Sequence, residues 1–93
     1  MAIGSFKDAR AAALWSGAFV KAFSGFDRQA LNRLVQLNVA ESLNDLAAIR
    51  GNRLEALKGS RKGQYSIRIN DQYRVCFRWE DQDAWDVEIV DYH

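Results

Sequence analysis

Eight cationic residues fall between Arg50 and Arg78: Arg50, Arg53, Lys58, Arg61, Lys62, Arg68, Arg74 and Arg78. Only Glu55 and Asp71 oppose them in that stretch, whereas the rest of the chain holds five cations and ten acids. The formal net charge of +1 conceals this division. Cations gathered on one segment of a near-neutral chain can build a site for a polyanion such as a nucleic acid. A solvated sheet face has the same composition, so charge leaves both readings open. Within the segment, Gly59-Ser60-Arg61-Lys62-Gly63 forms a basic loop with a glycine at each end. It lacks the Walker spacing and is no P-loop. It suits either a phosphate-backbone contact or a solvated turn.

Other chemistries are narrowed by what the chain lacks. A single cysteine, Cys76, excludes an internal disulfide and any multi-cysteine metal site. It lies mid-strand among apolar neighbours, which suits a packed thiol better than a nucleophile. A single histidine, His93, excludes histidine-based zinc ligation by this chain alone. No cofactor or metal is therefore expected. No apolar run approaches a membrane span, and the start lacks a signal-peptide pattern, so no membrane partner and a cytoplasmic location are expected.

The elements that must position these groups follow from periodicity. Tyr65, Ile67 and Ile69 alternate with Ser66, Arg68 and Asn70; Tyr73, Val75, Phe77 and Trp79 alternate with Arg74, Cys76 and Arg78. Period two with β-branched and aromatic residues predicts a β-hairpin with one apolar and one arginine-rich face. Asn70-Asp71 tolerates the positive φ that a tight turn often needs. Arg53 to Lys58 reads as a short strand in which Leu54 and Ala56 alternate against Glu55. After the acidic turn Glu80-Asp81-Gln82-Asp83, Ala84 to Tyr92 reads as the last strand, with Trp85, Val87 and Ile89 on one face.

Upstream, Met1 to Gly4 reads as a short strand or an arm. Ser5 is the expected cap of a helix over 5–15, with Phe6, Ala9, Ala13 and Leu14 at helical spacing. Residues 18–23 form either a continuation or a separate turn. Asp27 is the expected cap of a helix over 27–40, with Ala30, Leu31, Leu34, Val35 and Leu37 as its core side. Ser42 caps a short turn of helix. At 93 residues with 48% hydrophobic composition, residues 1–93 make one domain with a modest core. The expected class is α+β: two amino-terminal helices on one face of a small, mainly antiparallel sheet. They should cover Ile67, Ile69, Val75, Phe77, Val87 and Ile89. The opposite face then carries Arg68, Arg74 and Arg78, with Glu88 as an internal neutraliser.

The stretch NRLEALKGSRKGQYSIRINDQYRVCFRW and the terminal DVEIVDYH resemble the HigB-type branch of the RelE/ParE toxin superfamily, the plasmid maintenance system killer proteins. The close resemblance covers 43–93. It implies a single RelE-like domain and a toxin of a type II toxin–antitoxin system. The implied activity is ribosome-dependent endoribonuclease cleavage of messenger RNA without a metal. The implied partners are the ribosome, its message, and a HigA-like helix-turn-helix antitoxin whose complex with the toxin binds operator DNA. Metal-free cleavage uses the 2′-hydroxyl against the adjacent phosphate. It needs a proton acceptor, cations for the developing charge and an acid for the leaving 5′-oxygen. The resemblance assigns this work to Lys58, Arg74, Asp91, Tyr92 and His93. Lys58 and Arg74 hold the phosphate. His93 moves a proton, its unperturbed pKa being ~6.5. Asp91 orients His93, and Tyr92 stacks on a base or assists proton transfer. Further RNA contacts are expected from Arg53, Arg61, Lys62 and Arg68. The chain departs from some members by placing Glu55 where they carry histidine. Glu55 is then either a base or a strand residue paired with Arg53 or Arg74. The competing reading is a non-catalytic RNA- or protein-binding module, such as a degenerate toxin kept as an antitoxin partner.

Overall fold

A computed structural model describes residues 2–91. Helices α1 (Ala9–Trp15), α2 (Asp27–Val39) and α3 (Leu43–Ala47) precede strands β1 (Glu55–Ala56), β2 (Gln64–Arg68), β3 (Tyr73–Glu80) and β4 (Asp83–Asp91). The strands pair antiparallel in chain order, β1-β2-β3-β4. The α+β class read from the sequence holds, and so does the face assignment. Ile67, Ile69, Val75, Phe77, Val87 and Ile89 are each at most 3% exposed. They form one core with Leu14, Phe23, Leu34, Leu37 and Leu46 from the helical side. Burial of this apolar face dominates folding, at about 1.5–3 kcal/mol for each large side chain removed from water.

The amino-terminal arm lies along the outer edge of the sheet. Ile3 and Phe6 bridge in parallel to Ala84 and Val87. Ser5 does not cap α1. Its hydroxyl accepts the Asp86 backbone N–H at 2.8 Å, fastening the arm to β4. Asp8 caps α1 instead, accepting the Arg10 N–H at 2.9 Å, and the helix turns Ala11 and Leu14 inward rather than Ala9 and Ala13. Gly17, at φ 98°, ends that helix, and Lys21–Phe23 is a separate 3₁₀ turn. Asp27 is the first residue of α2 and makes no capping hydrogen bond; its charge lies at the favourable end of the helix dipole. Ser42 does cap α3, accepting the Asp45 N–H at 3.2 Å.

Two expectations about packing require correction. Leu31 and Val35 belong with Val39 to an outward stripe of α2, being 36%, 45% and 66% exposed. The buried side of α2 is Ala30, Leu34 and Leu37. In the predicted strand 53–58, only Glu55–Ala56 pairs as β1. Arg53 has φ 48°, and Leu57 rather than Ala56 is buried, so the alternation is broken at both ends.

The turns also differ from expectation. Asn70 closes the β2–β3 hairpin through its side chain, whose Oδ1 accepts the Gln72 and Tyr73 N–H groups at 2.9 and 2.8 Å. Positive φ appears instead in the β3–β4 turn, at Asp81 (53°) and Gln82 (67°) between the paired residues Glu80 and Asp83. Two left-handed central residues match the twist of the flanking strands.

In β4 one extra residue breaks the period. Cys76 pairs with Glu88, but Arg78 pairs with Trp85, so two steps on β3 meet three on β4. The surplus is a bulge at Asp86, φ 53°. Trp85, expected beside Val87 and Ile89, therefore shares the face of Arg78 instead, and Ala84 joins Val87 and Ile89 in the core.

Behind β1, a buried asparagine locks the layers together. Asn52 Nδ2 donates to Gln36 Oε1 at 2.7 Å and to the Leu46 carbonyl at 3.1 Å, while its backbone carbonyl accepts the Arg68 N–H at 2.6 Å. It ties α2, α3 and β2 at the point where the chain enters β1. No helix among the described residues is long and apolar enough to cross a membrane.

Candidate functional site

The outer face of the sheet is built on one row of paired residues running across all four strands: Glu55, Ser66, Cys76 and Glu88. Ser66 and Cys76, at its centre, are fully buried although the helices lie on the other side. Long side chains from elsewhere lie over the row. From β3, Arg74 reaches diagonally over β2. Its Nη1 donates to Ser66 Oγ at 2.6 Å and to the Arg53 carbonyl at 3.4 Å, and it pairs with Glu55 Oε1 at 3.3 Å. From the basic loop, Arg61 Nη1 donates to Glu88 Oε2 and Gln64 Oε1, both at 3.1 Å. Lys7 of the arm approaches Glu88 at 3.8 Å. Glu88 thus neutralises Arg61 and Lys7, not the sheet arginines themselves.

The flanking rows carry the other cations. Arg68 and Arg74 are cross-strand partners, an arrangement that repels unless each finds an anion. Arg74 has Glu55, and Arg68 pairs with Asp71 in the hairpin turn. Arg78 is held by Asp86 at 2.8 Å and Glu80 at 2.7 Å. The Asp86 carboxyl is held below the usual carboxylate range, chiefly by its hydrogen bond from Arg78. Burial pushes the Cys76 thiol up to about 11; Arg61 and Arg74 work against that shift, and Glu88 with it. The thiol is thus a packing group, as the sequence indicates.

These pairs differ in how readily they exchange partners. The Arg74 and Glu55 side chains are 17% and 52% exposed, while those of Arg61 and Glu88 are 32% and 14% exposed. An ion pair with one partner in water contributes only about 0–1 kcal/mol. Glu55 can therefore yield its place on Arg74 to another anion at small cost. Breaking the Arg61–Glu88 pair leaves a mostly buried carboxylate with only the more distant, exposed Lys7 near it, which costs more.

The remaining sequence-predicted residues occupy the margins. Lys58 is exposed where β1 ends, and its carbonyl accepts the Arg61 N–H of the 3₁₀ turn Gly59–Arg61 at 3.2 Å. Lys62 and Arg53 are exposed. Asp91 follows Val90, the cross-strand partner of Arg74, and accepts from Gln72 Nε2 at 2.9 Å. A cleft of about 580 Å³ at this end of β4 is lined by Asp91 together with Lys7, Arg10, Arg61, Tyr73 and Glu88. Tyr92 and His93 lie outside the described residues. The structure thus brings Glu55 and Arg74 together and places Asp91 one residue beyond the Arg74 row. Ser66 was missed in the sequence, where it reads as one more polar position of β2. Its signal was a small hydroxyl residue between two long ones, Gln64 and Arg68.

Residues 20–93 match the family described as the RelE-like toxin of the type II toxin–antitoxin system HigB, a wider span than the resemblance read from 43 onward. A segment of 58 residues is 41% identical to Toxin HigB-1 of Vibrio cholerae serotype O1, covering 62% of this chain and 61% of that protein. A segment of 52 residues is 35% identical to an uncharacterised protein of Haemophilus influenzae, covering 56% of this chain and 52% of that one. The matches thus span between half and three fifths of those relatives. The fold resembles that of a chain in the YoeB–YefM complex from Staphylococcus aureus, with a TM-score of 0.57 and 18% identity over 100% of this chain and 99% of that one. That likeness is one of fold. With the family match spanning the whole sheet and its basic loop, the chain belongs to the HigB-like family of RelE-like type II toxins.

Proposed function

We propose that this protein is a ribosome-dependent endoribonuclease that cuts messenger RNA by metal-free 2′-hydroxyl attack and is neutralised by a HigA-like helix-turn-helix antitoxin in the cytoplasm. The observation that carries the reading is Arg74, aimed across the outer face by Ser66 and held by a displaceable Glu55. A message phosphate takes the place of the Glu55 carboxylate on Arg74, and Lys58 supplies a second cation at the end of β1. The 2′-oxygen gives up its proton to a base and bonds to phosphorus. The bond to the 5′-oxygen breaks and that oxygen takes a proton, leaving a 2′,3′-cyclic phosphate and a 5′-hydroxyl. Arg74 stabilises the charge that builds on the phosphoryl oxygens. His93, oriented by Asp91, moves the proton; Tyr92 stacks on the base beside the cut. Glu55 is the alternative base. Arg53, Arg61, Lys62 and Arg68 are the proposed contacts to the RNA backbone.

The competing reading, a toxin fold kept as a non-catalytic partner of its antitoxin, draws on one observation. Arg61, Arg68, Arg74 and Arg78 each already face a carboxylate, so the outer face is closer to neutral than the sequence implies. Mapping message ends after brief induction, with and without assembled ribosomes, separates the two. New ends confined to translated messages support the endoribonuclease. Unchanged ends in a folded, ribosome-exposed protein leave the partner role.

A further inference from the structure

We infer that Ser66 is a positioning residue for Arg74, fixing the guanidinium over the outer face without cancelling its charge. The inference rests on the endoribonuclease reading and extends it to a residue outside the proposed catalytic set. Ser66 is fully buried on the face turned away from the helices. A buried hydroxyl is costly unless it is hydrogen-bonded, and this one accepts from Arg74 Nη1 at 2.6 Å.

The geometry explains why a serine stands there. Arg74 is opposite Arg68, whereas Ser66 is opposite Cys76, so Arg74 crosses β2 on the diagonal to reach Glu55 on β1. A long side chain at 66 would occupy the path of Arg74. Arginine has many rotamers to lose, and a fixed point beneath it reduces the freedom left at the moment of reaction. Glu55 and Ser66, both partners of Arg74, also differ in kind. Glu55 is a half-exposed anion that competes with phosphate. Ser66 is neutral, stays in place when that carboxylate leaves, and itself takes no cationic charge away from the transition state. Arg68 and Arg78 are held differently, by acids of the turn and the bulge.

The test is single-turnover cleavage of ribosome-bound message by the full chain, with melting temperature as the folding control. Ser66→Ala lowers the maximal rate about 10- to 100-fold, the range expected when a catalytic group is displaced by a fraction of an ångström to 1 Å. Its half-saturating ribosome concentration stays within about threefold of the parent's, since uniform binding is unaffected. In an Arg74→Ala background the same change slows cleavage by less than about twofold, because residues acting as a unit are non-additive. Ser66→Thr, which keeps the hydroxyl, returns most of the rate. The role is overturned if Ser66→Ala cleaves at the parent rate, if it slows the Arg74→Ala protein by its full factor, or if Ser66→Thr is as slow as Ser66→Ala. A parent chain that cleaves no ribosome-bound message overturns the endoribonuclease reading itself and the role with it, which distinguishes the two failures.

Discussion

Glu55 and Glu88 stand at opposite ends of one cross-strand row, and each holds an arginine that comes from outside that row: Arg74 on Glu55 and Arg61 on Glu88. The two pairs are alike in chemistry and unlike in exposure, and that difference sorts the basic residues into structural and exchangeable ones.

Arg61 and Lys62 are adjacent in the basic loop yet should behave differently. Arg61→Ala leaves the mostly buried Glu88 carboxylate without its nearest guanidinium and should cost about 1–3 kcal/mol of stability. Lys62→Ala, at an exposed position, should leave stability within about 0.5 kcal/mol and weaken ribosome or RNA binding. The salt slope of that binding should flatten by about one unit for each phosphate that is no longer neutralised. Denaturant melts and binding at two salt concentrations check both. An unchanged slope for Lys62→Ala removes it from the RNA-binding surface.

Cys76 predicts an alkaline limit to stability. Its folded pKa is raised from the ordinary value of 9.0 to about 11, first of all by burial. The unfolded chain therefore loses the thiol proton first as pH rises. The contribution is fully present below pH 9.0 and is lost as pH rises toward about 11. Melting temperature followed across that window should fall more steeply for the parent than for Cys76→Ala. Parallel curves would show that the thiol is not protected.

Much of this was legible in the chain. The Tyr65–Ile69 and Tyr73–Trp79 alternations place the hairpin and its inner face because one-sided burial writes a period of two into the sequence. The parts that were not legible depend on distant residues. The bulge at Asp86 has no glycine to announce it and is steadied by Arg78 and by Ser5 of the arm, whose hydroxyl binds its backbone. The outward stripe of α2 looks like core because Leu31 and Val35 are as apolar as Leu34. The excess of cations in 50–78 was plain, but several of their carboxylates, Glu80, Asp86 and Glu88, lie beyond that stretch and meet it only through the sheet.

Glu55→Gln should separate holding Arg74 from accepting a proton. RNA binding should tighten, because a competing anion is removed, and cleavage should stay within about tenfold of the parent, less than the ~10²–10⁴ ascribed to a lost general base. Single-turnover rates and equilibrium binding measure both. A loss beyond about a hundredfold with binding intact would make Glu55 the base.

Deleting His93, or replacing it with Gln, should lower cleavage by about 10²–10⁴. Melting temperature is the folding control for both variants. If the deletion cleaves at the parent rate, the proton is carried by Glu55 or Tyr92.

The most direct test of the central claim is the single-turnover rate at which ribosome-bound message is cut by the parent chain and by Arg74→Ala. Cleavage by the parent on intact ribosomes should leave 2′,3′-cyclic phosphate and 5′-hydroxyl ends. The variant should be about 10²–10³-fold slower, the usual cost of removing one preorganised donor to a developing charge. Equal rates in two folded proteins, or no cleavage by the parent, would contradict it.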